Sequence, residues 1–378
     1  MSVWPFIPRD DFIETLEWKT DVIRTYSAEQ RIRLSDFPRQ RFNLTHVLSP
    51  RQYQRAKLLM FNAAAGDWDL PVWAEKQTVS VSAAATTITI DTATSDYRVG
   101  GKAIVWSDDE TYETVTISAD NGTNLTVSAL SATYTNALCM PVRTARCVDG
   151  LSASRTVEQY TECSAEWTSY SGVDLSDSGL YSTYRSHPVC NTPAILGTST
   201  LEERVSRIQD SVDNGMSAPY FDTASSRADV SLGVSWLRQS QSTLWSLRTF
   251  LHALYGRQKG FWLPAYTRGM TLAANVSSAD TTITVQAVGL DGVLEAGDVM
   301  IQQLDGTQTF LQFTSVATSG ANEVLTLSGA AGVNITKTNA QTVCLLHFVR
   351  LSQDSVQITH TNGIGAQIMV ACDEVPIP

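Results

Sequence analysis

The residues able to do chemistry in this sequence are few, and their spacing suits no reaction. The five histidines, His46, His187, His252, His347 and His360, are scattered, and none belongs to the His-Glu-x-x-His pattern that holds zinc on one helical face. Gly233-Val234-Ser235-Trp236-Leu237 starts like a nucleophile elbow but lacks its second glycine. There is no Gly-x-Gly-x-x-Gly and no phosphate-cradling loop. His252 falls beside Leu251 on a predicted helix, the position of a satisfied, partly buried histidine. Asp108-Asp109-Glu110 has the charge to hold a cation, but its place between Val105-Trp106 and Tyr112 makes it first a solvated hairpin turn. Asp67 and Asp69 flank Trp68; a glycosidase would need two such carboxylates across a cleft, and nothing in the sequence makes these two face each other.

The six cysteines, Cys139, Cys147, Cys163, Cys190, Cys344 and Cys372, contain no Cys-x-x-Cys pair. Free, mostly buried thiols are expected in a product made in a cytosol. Four of them lie between Cys139 and Cys190, where an irregularly spaced metal or iron–sulfur site is the alternative. The expectation is a protein with no catalytic, cofactor-binding or metal-binding residues, and not an enzyme.

What the chain does contain is an ordered echo of itself. Ser49-Pro50-Arg51 to Gly66, Trp68-Asp69-Leu70-Pro71-Val72-Trp73 and Ala84-Ala85-Thr86-Thr87-Ile88-Thr89-Ile90 are answered downstream. The answering stretches are Ser242-Thr243-Leu244 to Gly256, Phe261-Trp262-Leu263-Pro264-Ala265-Tyr266 and Ala279-Asp280-Thr281-Thr282-Ile283-Thr284-Val285. Further on, Leu138-Cys139-Met140 answers Val343-Cys344-Leu345, which places Cys139 and Cys344 at equivalent positions. The spacing lengthens slowly, as loop insertions would make it. With two copies only, this is a tandem duplication and not a solenoid. Where Asp67 and Asp69 stand in the first copy, Gly260 and Trp262 stand in the second, which argues against shared chemistry there.

Each copy reads as strand, helix, aromatic-Leu-Pro, small barrel and return strand. Phe42, Leu44, His46 and Leu48 alternate, as do Ala228, Val230, Leu232, Val234 and Trp236. Ser49-Pro50 supplies an N-cap and a first-turn proline, and Gly66 stands where a left-handed C-cap is wanted. Leu244, Leu247, Leu251 and Leu254 form the apolar stripe of the second helix, which Gly256 ends. Short Val/Ile/Thr runs broken by Gly, Asp and Asn fill residues 78–141 and 270–343, the pattern of small barrels inserted into each copy. The expected fold is mainly β (α+β): two tandem copies of a β-sandwich with one packed helix, residues 1–185 and 186–378, each with its inserted barrel.

Composition agrees with β structure: 43% of residues are hydrophobic, but only 17% are charged, too few for a helix-rich enzyme. A net charge of −11 repels phosphate backbones, so no direct nucleic-acid binding is expected. Arg31, Arg33, Arg39, Arg41, Arg51 and Arg55 are a local exception, either a basic face for an acidic partner subunit or arginines spread over a strand edge and a helix. No apolar run approaches the roughly 20 residues of a membrane span. Met1-Ser2-Val3-Trp4-Pro5 has no signal-peptide character, so synthesis in a cytoplasm is expected. The nine tryptophans could stack sugars, but the recurrence of aromatics beside each Leu-Pro favours core or interface.

A helix followed by Gly, an aromatic and Leu-Pro, then a small β insert, then a strand ending Asp373-Glu374-Val375-Pro376, resembles tail-tip proteins of long-tailed bacteriophages, the distal tail, minor tail and baseplate-hub proteins. The residues that carry the resemblance are Leu70-Pro71, Leu263-Pro264 and Glu374-Val375-Pro376. Distal tail proteins usually have one ring domain per chain, whereas this chain has two. The resemblance implies a virion structural protein that forms a ring or hub adapting the end of the tail tube to the tip complex. A trimer acting as a pseudo-hexamer is the expected assembly and a hexamer the other choice, with tail tube, tape measure and other tip proteins as neighbours. The alternative function is binding of a host receptor or glycan through the inserted barrels.

Overall fold

The computed structural model describes residues 1–24, 29–190, 192, 202–206, 209–216, 218–223, 229–361 and 365–377. The chain is mainly β, with two α-helices among the described residues. The principal elements of the first half are β1 (Phe12–Glu17), β2 (Arg39–Leu48), α1 (Pro50–Ala63), β3 (Trp68–Pro71), β4 (Tyr134–Cys147), β5 (Ser152–Val157) and β6 (Tyr160–Ser169). Those of the second half are β7 (Glu202–Ser206), β8 (Asp229–Arg238), α2 (Gln241–Leu254), β9 (Phe261–Pro264), β10 (Ala340–Leu351), β11 (Ser355–Thr361) and β12 (Gly365–Glu374).

The two halves follow the same order of pairings. β2 lies between β1 and β6, and β5 is the outer partner of β6. Likewise β8 lies between β7 and β12, and β11 is the outer partner of β12. The long strands β4 and β10 run from the inserts into the main sheet, where they pair with β3 and β6 and with β9 and β12. One further ladder joins the halves: β1 pairs antiparallel with β11, from Phe12↔His360 to Glu17↔Ser355. The result is one continuous antiparallel sheet in the order β7–β8–β12–β11–β1–β2–β6–β5.

Local sequence explains the helices. Ser49 and Gln52 form a reciprocal capping box: the Ser49 hydroxyl accepts the Gln52 N–H at 3.4 Å and the Gln52 carbonyl accepts the Ser49 N–H at 3.1 Å. Ser240 caps α2 by accepting the Thr243 N–H at 3.3 Å. The helix ends at Tyr255 and Gly256, both left-handed at φ 51° and φ 67°. Gly66 does not play that part for α1: the helix stops at Ala64 with an ordinary right-handed backbone, and the Gly66 N–H simply returns to the Ala63 carbonyl. The helices differ in burial. α1 buries only Ala56 and Met60, while α2 buries Leu244, Leu247, Leu251 and Leu254 together with Arg248, Thr249 and His252.

The buried side chains form one core in the first half, two in the second and one in each insert. Val79 to Cys139 enclose the first insert cluster and Met270 to Val343 the second. In the second insert, Met270 bridges Val343 of β10 while Leu272 bridges Val285, linking the outer strands. Strand register corrects the equivalence of Cys139 and Cys344. Cys139 lies opposite Val105 inside the insert core, whereas Cys344 lies opposite Met300, the place that Met140 takes opposite Ile104. The similarity of the two tripeptides had hidden a shift of one residue, which reverses the face a strand residue points to.

Leu251 is fully buried in the core beneath α2. Leu251→Ala is expected to lower unfolding stability by about 2–5 kcal/mol, and Leu251→Asp to give insoluble protein. A denaturant titration of the alanine variant checks this; a change under about 1 kcal/mol would mean that the helix does not pack there.

Candidate functional site

The alternation in β1 sends Phe12, Glu14 and Leu16 inward, and Trp18 follows them into the core. A glutamate in this apolar phase is costly unless it is paired. Glu14 is wholly buried and is met from both halves. From its own half, the Gln40 amide donates to Oε1 at 2.6 Å. From the other half, His360 Nε2 on β11 donates to Oε2 at 2.9 Å, and Arg248 Nη2 on α2 donates to the same oxygen. Burial works to raise the Glu14 pKa, but Arg248 and His360 outweigh it and bring it down to about 2.

Arg248 extends the network into the first half. Its Nη1 reaches Glu75 Oε1 at 3.0 Å, and Glu75 Oε2 accepts the Asp96 N–H at 2.7 Å. The Asp96 carboxylate is bound in turn by Arg143 at 2.6 Å and by Arg98 Nε at 2.8 Å. Burial pushes the Glu75 carboxyl above its ordinary value. For Asp96, burial is outweighed by Arg98 and Arg143, so its pKa is lowered. Three carboxyl groups and three guanidinium groups thus balance one another. The void among Asp96, Arg98, Arg248 and His252 is about 10 Å³, room for one water at most. The arrangement holds surfaces together and offers no space for a substrate.

Three further contacts lock the same joint. The Asp354 carboxylate, just before β11, accepts the Thr20 N–H at 2.8 Å and the Arg257 N–H at 2.9 Å. The hairpin of Thr20–Arg24 and Glu29–Arg33 reaches the second half through a bidentate pair, with Glu29 oxygens 2.7 and 3.0 Å from Arg350. Arg33 also lies over the Tyr255 ring at 4.4 Å. An open groove of about 820 Å³ runs beside the joint, with Trp18, Phe37, Tyr170 and Asp354 in its walls.

The residues singled out from sequence lie apart. His46 accepts the Trp4 indole N–H at 3.1 Å on Nε2 and lies 2.9 Å from the Ile7 carbonyl on Nδ1; burial lowers its pKa to about 4. His252 accepts the Leu175 N–H at 3.3 Å, and burial with Arg248 nearby also lowers it to about 4. His187 packs on the Phe348 ring, and His347 lies 3.5 Å from Glu374. Only His360 joins the network. Asp67 binds Arg146 and Tyr170, while Asp69 binds Lys102 at 2.7 Å. The acidic turn docks on α1: Asp109 takes Gln52 and Arg55, and Glu110 takes Arg51. Arg31, Arg33 and Arg41 also have carboxylate partners, Glu29, Asp36, and Glu17 with Glu166, so the arginine run is largely neutralised within the chain. Cys139, Cys163 and Cys190 belong to three different cores, and Cys147 packs beside that of Cys163. Burial raises the Cys139 and Cys190 thiols to about 12. Among the described residues no group of His, Cys, Asp and Glu is placed to hold a metal ion, and no helix is long and apolar enough to cross a membrane.

Glu14, Arg248 and Glu75 were not found from sequence. The available signal was a charge in an apolar phase, Glu14 among Phe12, Leu16 and Trp18, and Arg248 between Leu247 and Leu251. The chain matches no protein-family model and no curated protein sequence.

Arg248→Met leaves Glu14 buried with a reduced set of partners, and is expected to cost about 3–5 kcal/mol of stability. Adding Glu14→Gln should return part of that loss, because the orphaned charge goes with it. Chemical denaturation of the wild type, both single variants and the double variant tests the coupling, which strict additivity would refute. A second expectation concerns pH. His46 and His252 stay neutral in the fold down to about pH 4, whereas ordinary imidazoles in the unfolded chain titrate near 6.5. The unfolded state then binds more protons, so stability is full above pH 6.5 and falls as pH drops towards 4, by up to about 3 kcal/mol per histidine. Glu14 adds a loss of the same sign below its ordinary value of 4.5. Melting temperatures measured across this range should decline; a flat profile between pH 6.5 and 4.5 would contradict the assignment.

Proposed function

We propose that the protein is a structural component of a phage tail tip, a duplicated unit that assembles into a closed ring between the tail tube and the tip complex. The observation that carries this reading is the sheet. Two units with the same order of pairings are fused edge to edge through β1 and β11, and among the described residues β5 at one end and β7 at the other pair on one side only. A unit that joins its own repeat head to tail is suited to join further copies the same way, and such heterologous contacts form a ring where the rotation between units closes. The resemblance carried by Leu70-Pro71, Leu263-Pro264 and Glu374-Val375-Pro376 supports placing the ring at a tail tip.

In this reading three chains supply six units around the tube, so the chain acts as a pseudo-hexamer. Its neighbours are tube, tape measure and other tip proteins, it resides in the virion, and its role is structural. The choice against receptor or glycan binding through the inserts rests on their surfaces. No aromatic side chain of residues 78–141 or 270–343 is exposed. Sugar and receptor contacts draw heavily on exposed aromatic faces, because these supply large contact area at low entropic cost.

Copy number in purified particles is the decisive measurement. Three chains per tail are expected. Six would mean a plain hexameric ring, and absence from particles would overturn the tail-tip reading.

A further inference from the structure

The internal joint can be used as a template for the joint between chains, and strand registers supply the alignment. Pro71 and Pro264 correspond, and each lies opposite one residue of the long strand, Val142 and Leu346. Following β4 and β10 into β6 and β12 pairs Ala145↔Ser169 with Val349↔Glu374. The same ladders continue as Leu44↔Ala165 beside Val234↔Val370. One step further, Ile13↔Asn43 corresponds to Glu202↔Gly233, so Glu14 corresponds to Glu203 and Leu16 to Val205. On the other edge, Ser152↔Ser164 corresponds to Gln357↔Met369, so Ala153 corresponds to Ile358. Arg155, beside the register shift that follows Ser154, stands two residues beyond Ala153 as His360 stands two beyond Ile358, and it lies over the Tyr53 ring of α1 at 5.6 Å. The two capped fourteen-residue helices align Lys57 with Arg248, Leu58 with Thr249 and Phe61 with His252.

We propose that β5 of one copy pairs antiparallel with β7 of the next, in the register Ala153 opposite Glu203, placing Glu203 between Lys57 and Arg155 of the neighbouring copy. This deepens the ring reading and rests on it. Three observations select a second copy of this chain as the occupant. First, β5 is exposed at all six residues, β7 is exposed from Glu202 to Val205, and each has one strand neighbour among the described residues. Second, the charges are complementary. Glu14 is held by Arg248 and His360 within the chain, and the corresponding positions set Glu203 against two cations, Lys57 and Arg155. Third, the face of α1 that corresponds to the buried Thr249 and His252 of α2 is bare: Leu58 is 53% and Phe61 86% exposed. The hairpin that would reach it corresponds to Thr20–Arg33, and it exposes Val212, Tyr220 and Phe221. An edge strand with unpaired backbone groups is a ready template for a strand of the same kind.

The test is cysteine cross-linking of the full chain. Ala153→Cys with Glu203→Cys places two thiols directly opposite across the joint, whereas within one chain they stand at opposite ends of the sheet. On mild oxidation, disulfide-linked oligomers are expected on non-reducing gels. Ala153→Cys with Arg204→Cys, which moves the second thiol to the other face of the strand, should give few. Glu203→Lys should weaken self-association by about tenfold or more in sedimentation, and adding Lys57→Glu and Arg155→Glu should restore it. Association without the cross-link overturns this joint and leaves the ring to another surface. A protein that stays monomeric and forms no cross-link also overturns the joint, and the copy number in particles then decides the ring reading independently. Cross-linking that is equal in the two cysteine pairs overturns the register.

Discussion

A single strand has to satisfy two cores at once, and the rest of the molecule is arranged around that requirement. β1 sends Phe12 into the first core and Leu16 into the second, with Trp18 following Leu16, and between them stands Glu14, which neither core can accept as a bare charge. Arg248 and His360 come from the second half to meet it. Replacing a buried ion pair by apolar groups often leaves stability unchanged or improved, so net stability is a weak reason for such a pair. Its specificity is a better one. An apolar β1 could slide by two residues along β11 and still bury alternate side chains. A carboxylate that must meet one guanidinium and one imidazole defines a single register.

The same constraint explains why two similar helices are buried so differently. α2 lies where both halves meet: on the flank of its leucine stripe Arg248 meets Glu14 and Glu75, His252 meets Trp18, and Thr249 beside them is buried. α1 occupies the matching place in the first half, where nothing among the described residues covers its flank. Leu58 and Phe61 are left in water, while Ala56 and Met60 fill a smaller buried stripe. Lys57 reflects this difference in chemistry. A flexible ammonium on a long stem stays hydrated at an open surface, whereas the planar guanidinium of Arg248 serves two carboxylates in a dry one.

Much of the fold was legible in local pattern. Alternation in Phe42 to Leu48 and in Leu232 to Trp236, the Ser49 cap, and the Leu-Pro repeats marked strands and helices that the structure contains, whereas the cap of the second helix lies at Ser240, two residues before the start read at Ser242. The joint between the halves was not legible. Phe12 pairs with His360 across nearly the whole chain, and such a pairing leaves no periodic trace in either strand. The network was missed for a related reason: a lone Glu14 in β1 and a lone Arg248 in α2 each resemble a local irregularity, and only their meeting gives either a role. Gly66 misled because a glycine after a helix is usually a left-handed cap, whereas here the chain turns at Ala64 without one. Cys139 and Cys344 misled because short matched segments fix an alignment only to within a residue, and in strands a residue decides the face.

Edge chemistry then separates the joint inside the chain from the two edges left outside it. An apolar strand such as β1 would be a hazard at a free edge, since its unpaired amides and carbonyls would recruit any extended segment. Here it is covered on both sides, by β2 and β11. The strands at the ends are built otherwise. β5 is Ser-Ala-Ser-Arg-Thr-Val and β7 is Glu-Glu-Arg-Val-Ser, polar enough to remain hydrated in a separate chain. Such edges associate only where a specific partner replaces the lost water with ladder hydrogen bonds and opposite charges. Fusing two units therefore changes the physics of half the contacts a ring would need. The fused joint is made during folding and can be dry, while an open one has to be stable in water. The two glutamates at corresponding positions match these surroundings: Glu14 is buried among its partners in the joint, and Glu203 is exposed on an open edge.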